Sequence, residues 1–217
     1  DFPAAMAGVT TTSLSAWVGT SKTTGSAHHD IFKSAHDAAG GNIFRIGVSP
    51  VDGAIFWDTA TGSSDVVGSG YNDGDIHHVV VTQSGASDAS VYVDGIFIGA
   101  ITPASTIDWD TATTLSLGQE WDGVTASDFF EDVINEVAIF DKVLSQAEVD
   151  ELYNAGTPKV ATTHSADANL KGYWRNDGAT TWVDRLAGLE IGGELISNGD
   201  FSEVGTEEIT NGDFATD

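Results

Sequence analysis

Residues 90–100 read SVYVDGIFIGA, two runs of alternating β-branched and aromatic side chains joined by Asp94-Gly95. A two-residue turn of this kind needs positive φ at both positions, which Gly adopts freely and Asp tolerates, and its twist matches that of paired strands. The segment therefore predicts a tight antiparallel hairpin. An isolated hairpin is marginal in water, so further strands must cover its apolar face. Strand-like runs recur at 13–18, 43–48, 54–57, 77–82, 114–117 and 133–140, separated by Gly, Asp, Asn and Ser clusters. That spacing predicts an all-β sandwich or barrel.

One segment, LSQAEVDELYNAG at 144–156, reads as a helix. Ser145 and Glu148 form a capping box, Leu144 and Val149 can staple its entry, and Gly156 closes its end. Val149, Leu152 and Tyr153 fall on one face. A single short helix excludes an alternating βαβ fold. With 217 residues, 25 Gly and only 4 Pro, the chain suits one turn-rich domain with a short appendage.

Charge narrows the partners. The 33 acidic and 8 basic side chains give a formal net charge of -25, which repels polyanions and excludes nucleic acid as a partner. Such acidity serves either divalent cations, which take carboxylate and carbonyl oxygens, or solubility in a saline medium that screens self-repulsion. The absence of cysteine removes disulfides, thiolate nucleophiles and zinc-thiolate sites. No apolar run reaches membrane-spanning length. The opening DFPAAMAG lacks an initiator methionine, as expected of a processed chain or a fragment.

After Pro158 the stretch ATTHSADAN reads as a polar linker, followed by NLKGYWRNDGATTWVDRLAG with an aromatic strand, a turn and a second short strand. ELISNGDF at 194–201 is nearly repeated by EEITNGDF at 207–214, so Asn198 and Asn211 each begin an Asn-Gly-Asp-Phe unit. Two copies are too few for a solenoid. The expected organisation is a main domain at 1–158, a linker and extra strand pair at 159–190, and a connector at 191–217.

The order of these features resembles the laminin G-like and pentraxin-like branch of the concanavalin A-like jelly rolls. SLSAWV is similar to that family's early strand, and DGDIHHVVVTQSGASDASVYVDGIFIG to its central signature. FFEDVINEVAIFDKVLSQAEVDELYNAG is similar to its closing strand and helix. The family usually has Trp where this chain has Ile76 before His77. The resemblance implies a jelly-roll sandwich of two antiparallel sheets with one short helix towards the C-terminus. Leu170 to Trp174 would then fill the missing first-strand position of a permuted sandwich, or else begin a second module.

The pentraxin comparison gives LSLGQEWDG, residues 115–123, a role. By position it implies calcium ligands from the Glu120 carboxylate, the Trp121 carbonyl and the Asp122 carboxylate. Asn42, more weakly Asp37, and Asp128 with Glu131 would complete the set. Ca²⁺ takes six to eight oxygens, so that donor set suits it. The alternative is a solvated acidic hairpin tip. Trp121 and Trp57 are stacking candidates for a sugar ring, the alternative for Trp121 being a partly buried shield of the loop. Tyr71-Asn72-Asp73-Gly74-Asp75 lacks EF-hand spacing and reads as a turn.

The adjacent His77 and His78 would point to opposite strand faces and cannot readily chelate together; for His28-His29-Asp30 a loop geometry could. Asp132 and Glu136 would share a strand face as a carboxylate pair, yet the retaining-glucanase strand pattern, a Gly-x-Ser-x-Gly elbow and a phosphate loop are all missing from the sequence. The expected function is a non-catalytic lectin-like adhesion module, not an enzyme. It would bind a cell-surface glycan, with Ca²⁺ as cofactor. The tail's WRNDG and Asn-Gly-Asp-Phe units resemble structural and fibre proteins of marine bacteriophages. That resemblance implies a virion-surface or extracellular location, host attachment, and neighbouring virion subunits or a homo-oligomer as partners. The alternatives are a purely structural decoration or fibre module and, below it, a glycan-cleaving enzyme.

Overall fold

A computed structural model describes residues 2–24, 29–35, 42–59, 65–85, 88–103, 107, 109, 114–122, 125–127, 129–176, 182–184 and 189–191. The tail repeat lies outside these residues, as do Asp37, His28 and Asp128. A helical turn α1 (Phe2–Ala5) precedes the strands β1 (Thr12–Gly19), β2 (His29–Ala35), β3 (Asn42–Val48), β4 (Ile55–Thr59) and β5 (Asp65–Val67). Next come β6 (Ile76–Gln83), β7 (Ala89–Val93), β8 (Ile96–Ile101), β9 (Thr114–Leu117), β10 (Glu120–Asp122), β11 (Thr125–Ser127) and β12 (Val133–Phe140). Helix α2 (Gln146–Tyr153) and strands β13 (Leu170–Trp174), β14 (Trp182–Asp184) and β15 (Leu189–Ile191) complete the chain.

Two antiparallel sheets carry the fold. One runs β15-β14-β13-β12-β1-β6-β7-β8, the other β5-β4-β3-β2-β9, with β10-β11 as a separate ribbon. The concanavalin A-like sandwich expected from the sequence is the fold observed. Alternation builds the main core: Leu14, Ala16 and Val18 of β1 meet Phe44, Ile46 and Trp57 of the facing sheet. The hairpin forms as read, with φ of 52° at Asp94 and 78° at Gly95 and Val93 paired with Ile96.

HDIFKSA, with Asp30 and Lys33 three positions apart, lacks the alternation by which a strand is read, so β2 is a finding of the structure. Its Lys33 pairs in register with Arg45 and Ser116, and Arg45 with Asp58, so these polar residues form one row on the face turned away from the core. Lys33, Arg45 and Asp58 are only 1%, 8% and 4% exposed. The row also buries an ion pair of the neighbouring strands: Arg45 Nε lies 3.3 Å from Asp58 Oδ2, and its guanidinium sits over the Phe56 ring.

The helix lies against the opposite face of the larger sheet. Its capping box is present, and Leu144 and Val149 are both buried in a second cluster with Val80, Ala138, Phe140 and Tyr173. Its end differs from expectation: Asn154, not Gly156, adopts the left-handed cap at φ 46° and ψ 49°. Asn tolerates this region because its short polar side chain bonds locally.

The stretch after Pro158 is not a loose linker. It forms two 3₁₀ turns, at Ala161–Thr163 and Asp167–Asn169, that bury Ala161, His164 and Ala166 in the helix-side cluster. Ala166 N–H donates to His164 Nδ1 at 3.1 Å, so Nε2 carries the proton and donates to the Glu148 carbonyl at 2.9 Å. β13 then runs antiparallel beside β12, placing Trp174 in the main core and Tyr173 under the helix. Lys159, Lys171 and Arg175 pair with Glu151, Asp141 and Glu136 and tie this return segment to the domain.

A chain ending at residue 158 is therefore expected to lose cooperative melting in near-ultraviolet circular dichroism, whereas one ending at residue 176 keeps it. Trp174→Ala in the full chain should cost about 3–5 kcal/mol in urea unfolding. A chain ending at 158 that melts like the full protein would show β13 to be dispensable.

Candidate functional site

LSLGQEWDG does not end in an open loop. At Gly118, φ is 70°, and an added Cβ would stand 3.3 Å from Ile134 Cδ1, so both backbone and space favour glycine there. The Gly118 N–H donates to the Ile31 carbonyl at 3.0 Å and its carbonyl accepts from Phe130 N–H at 2.8 Å. Ser116 Oγ donates to the Gln119 carbonyl at 2.7 Å. The chain then reverses through the β10-β11 ribbon, pairing Glu120 with Ser127, Trp121 with Ala126 and Asp122 with Thr125. Positions 120 and 122 fall on one face of β10 and position 121 on the other. The side chains of Glu120, Trp121, Asp122 and Asn42 lie outside the described residues.

The Gly118 junction brings the ribbon beside the 129–131 segment and the start of β2. Glu131 is exposed, and its carboxylate pairs with the Lys22 ammonium. The neighbouring Asp132, at φ 93°, accepts from Ser21 N–H at 3.0 Å. Asn42 opens β3 opposite Ala35, which also pairs with Thr114. The register thus sets it at the end of β9 away from Gly118, about 13 Å along the strand. Among the described residues no group of three or more His, Asp or Glu could hold a metal ion.

Trp57 is corrected outright. Alternation along β4 turns it inward with Ile55, where it is fully buried, its indole N–H donating to Gln83 Oε1 at 3.0 Å and its ring against Phe44. It cannot stack on a ligand. His29 is also buried, edge-on to Phe130, with neither ring nitrogen hydrogen-bonded; burial lowers its pKa.

The central signature builds a second polar centre at the Asp94-Gly95 turn of the larger sheet, with His77 and His78 on opposite faces of β6. Asp94, held at the hairpin turn, accepts from His78 N–H at 2.9 Å and from His77 Nδ1 at 2.8 Å, while His77 Nε2 lies 3.3 Å from Asp73 Oδ1. Burial alone would lower the His77 pKa, but its hydrogen bonds to Asp94 and Asp73 outweigh that and raise it. His78 is buried and its pKa falls to about 4, desolvation dominating. Its ring stacks on Trp17 at 5.0 Å between centroids, and Tyr153 stacks on Trp17 at 5.9 Å. Sequence reading placed the two histidines on opposite faces but missed this role, because Asp94 reads as turn chemistry alone.

Catalytic arrangements meet physical obstacles. Ser15 Oγ lies 2.8 Å from His78 Nε2, yet both are buried and the His78 Nδ1 has no orienting partner. The Asp132 and Glu136 pairing fails. Asp132 lies outside β12, bonded to Ser21, while Glu136 sits at φ 50° in a strand irregularity with its carboxylate engaged by Tyr173 and Arg175.

Residues 1–150 match the laminin G family of the concanavalin A-like lectin/glucanases superfamily, and the chain belongs to it. Among solved structures, a candidate carbohydrate-binding protein of Bacteroides ovatus is 14% identical, with a TM-score of 0.62 over 84% of this chain and 51% of its own. This chain thus spans about half of that protein. The CBM40 of the Ruminococcus gnavus IT-sialidase is 11% identical, with a TM-score of 0.56 over 69% of this chain and 85% of its own. The heptameric SAP-like pentraxin of Limulus polyphemus is 17% identical, with a TM-score of 0.53 over 67% and 70%. At these identities the likeness is one of fold. No curated protein matches the sequence.

The two histidines give opposite pH dependences. His77 has a folded pKa above the unfolded 6.5, so its contribution is complete below pH 6.5 and lost as pH rises through the folded value. His78 contributes above pH 6.5 and loses that contribution as pH falls towards 4, on the order of 3 kcal/mol in all. Urea unfolding at pH 7 and pH 4.5 should show a smaller acid loss in His78→Gln than in the wild type, by about 2 kcal/mol. Equal losses would mean that His78 is not held neutral.

Proposed function

We propose that this chain is a non-catalytic, lectin-like module that binds glycan, with Ca²⁺ at the β10-β11 ribbon, in an extracellular or virion-surface protein engaged in host attachment. Membership of the lectin/glucanase superfamily carries the reading. The fold shared with a carbohydrate-binding module of a sialidase and with a candidate carbohydrate-binding protein supports it. For calcium, the support is the Gly118 junction, which ties the root of the Glu120–Asp122 strand to Phe130, the residue before Glu131. Glu120, the Trp121 carbonyl and Asp122 would hold the ion, with Glu131 released from Lys22 as a further donor. Bound there, Ca²⁺ supplies a docking point for vicinal hydroxyls or an acidic group.

One observation favours the alternative of a structural module contacting neighbouring subunits. Edge strand β8 presents Ile96 and Phe97 at 67% and 51% exposure, an unpaired ladder flanked by apolar side chains.

Calorimetric titration of the calcium-stripped protein should give saturable binding, with about 2.7 kcal/mol of added stability at a hundredfold excess over Kd. Glu120→Ala with Asp122→Ala should abolish both. A glycan array probed with Ca²⁺ and with EDTA should then show calcium-dependent capture. A wild type that neither binds nor gains stability would sink the calcium reading. A blank array together with a concentration-dependent mass in solution would favour the structural module.

A further inference from the structure

A cleft of about 350 Å³ opens on the helix side of the larger sheet, between β6, the Asp94-Gly95 turn and the end of α2. None of its described lining residues belongs to the β10-β11 ribbon. Trp17 and Tyr153 form one wall, their rings only 15° from parallel, with the buried His78 ring stacked against both. Asp75, Asp94 and Ile76, the last 55% exposed, line the cleft as well. The walls are preformed: Gln146 Nε2 on the capped helix donates to the Gly95 carbonyl at 2.6 Å and to Asp150 Oδ1 at 2.7 Å, clamping the turn to α2.

The chemistry of this lining selects a charge. His77 is the one basic residue of the described lining, and its ring nitrogens are already turned to the carboxylates of Asp94 and Asp73. Among the described residues no lysine or arginine lines the cleft. An anion entering would meet carboxylates, and the net charge of -25 repels it at longer range. A neutral sugar could offer hydroxyl donors to Asp75 and an apolar ring face to Tyr153. An ammonium group adds charge-assisted hydrogen bonds to the carboxylates and attraction to the aromatic quadrupoles. A cleft of this size takes one monosaccharide-sized group, at the low end of the volumes typical of small-molecule sites. We propose that the cleft binds a protonated primary amine on a sugar-sized frame: an amino sugar whose amine is free, not acetylated.

The test is a titration of the ¹⁵N-labelled wild-type protein, kept in EDTA at pH 7 and low ionic strength, followed at the Trp17 indole N–H, which is assigned with Trp17→Phe. EDTA separates the outcome from that of the calcium site. Glucosamine should give a saturable shift, and glucose and N-acetylglucosamine should bind at least tenfold more weakly. Asp75→Asn, an exposed position, should weaken glucosamine at least fivefold while leaving the melting temperature unchanged, and Tyr153→Leu should weaken all three sugars. Three results would overturn the proposal: no saturable glucosamine shift, equal affinity for N-acetylglucosamine, or binding indifferent to Asp75→Asn.

Discussion

The fold depends on burying β1 on both faces. TSLSAWVG lies between β12 and β6 in the larger sheet, and every residue of it is buried. One face supplies Leu14, Ala16 and Val18 to the inter-sheet core. The other carries Ser13, Ser15 and Trp17, a row that no second sheet covers. Ser13 Oγ donates to the Lys142 carbonyl at 2.7 Å and accepts from Leu144 N–H at 2.9 Å, which sets where the chain enters α2. Ser15 meets His78, and Trp17 meets Tyr153. A helix and the return segment 159–176 are therefore needed to finish the domain, and the Trp17 cleft is where that cover ends.

Scarce cations shape the same architecture. In a chain with 33 acidic and 8 basic side chains, six described cations sit in ion pairs, and three of these, Lys159, Lys171 and Arg175, belong to the return segment. The partly exposed pairs Lys22–Glu131, Lys142–Glu148, Lys159–Glu151 and Lys171–Asp141 each contribute at most about 1 kcal/mol and weaken with salt. Their value lies in direction. They hold a chain that has left the family-matched residues against the sheet that it completes, while Tyr173 and Trp174 supply the apolar burial.

Much of this was legible because its causes are local. The Asp94-Gly95 turn, the Ser145 capping box and the Leu144-Val149 staple each depend on residues within a few positions of one another, and each forms as read. The misreadings share a cause too. HDIFKSA does not read as a strand nor ATTHSADAN as packed chain, because what surrounds their polar groups comes from far along the chain: β3 and β9 flank Lys33, and the carbonyl of Glu148 accepts from His164. Trp57 was offered as a sugar platform because an aromatic on a short strand reads the same whether it faces water or the core.

The sequence by itself determined the class of fold, the hairpin, the capped helix and the acidity that governs which partners can approach, since turn chemistry, period-two patterning and net charge are properties of neighbouring residues and of simple sums. Only the tertiary structure decided that positions 120–122 form a ribbon tied at Gly118 to β2 and to the 129–131 segment. It also decided that Leu170–Trp174 lies beside β12, and that Asp94 joins the hairpin turn to both histidines. Those outcomes depend on which strands become neighbours, and cross-strand register is set by the collective packing of two sheets that no single segment encodes.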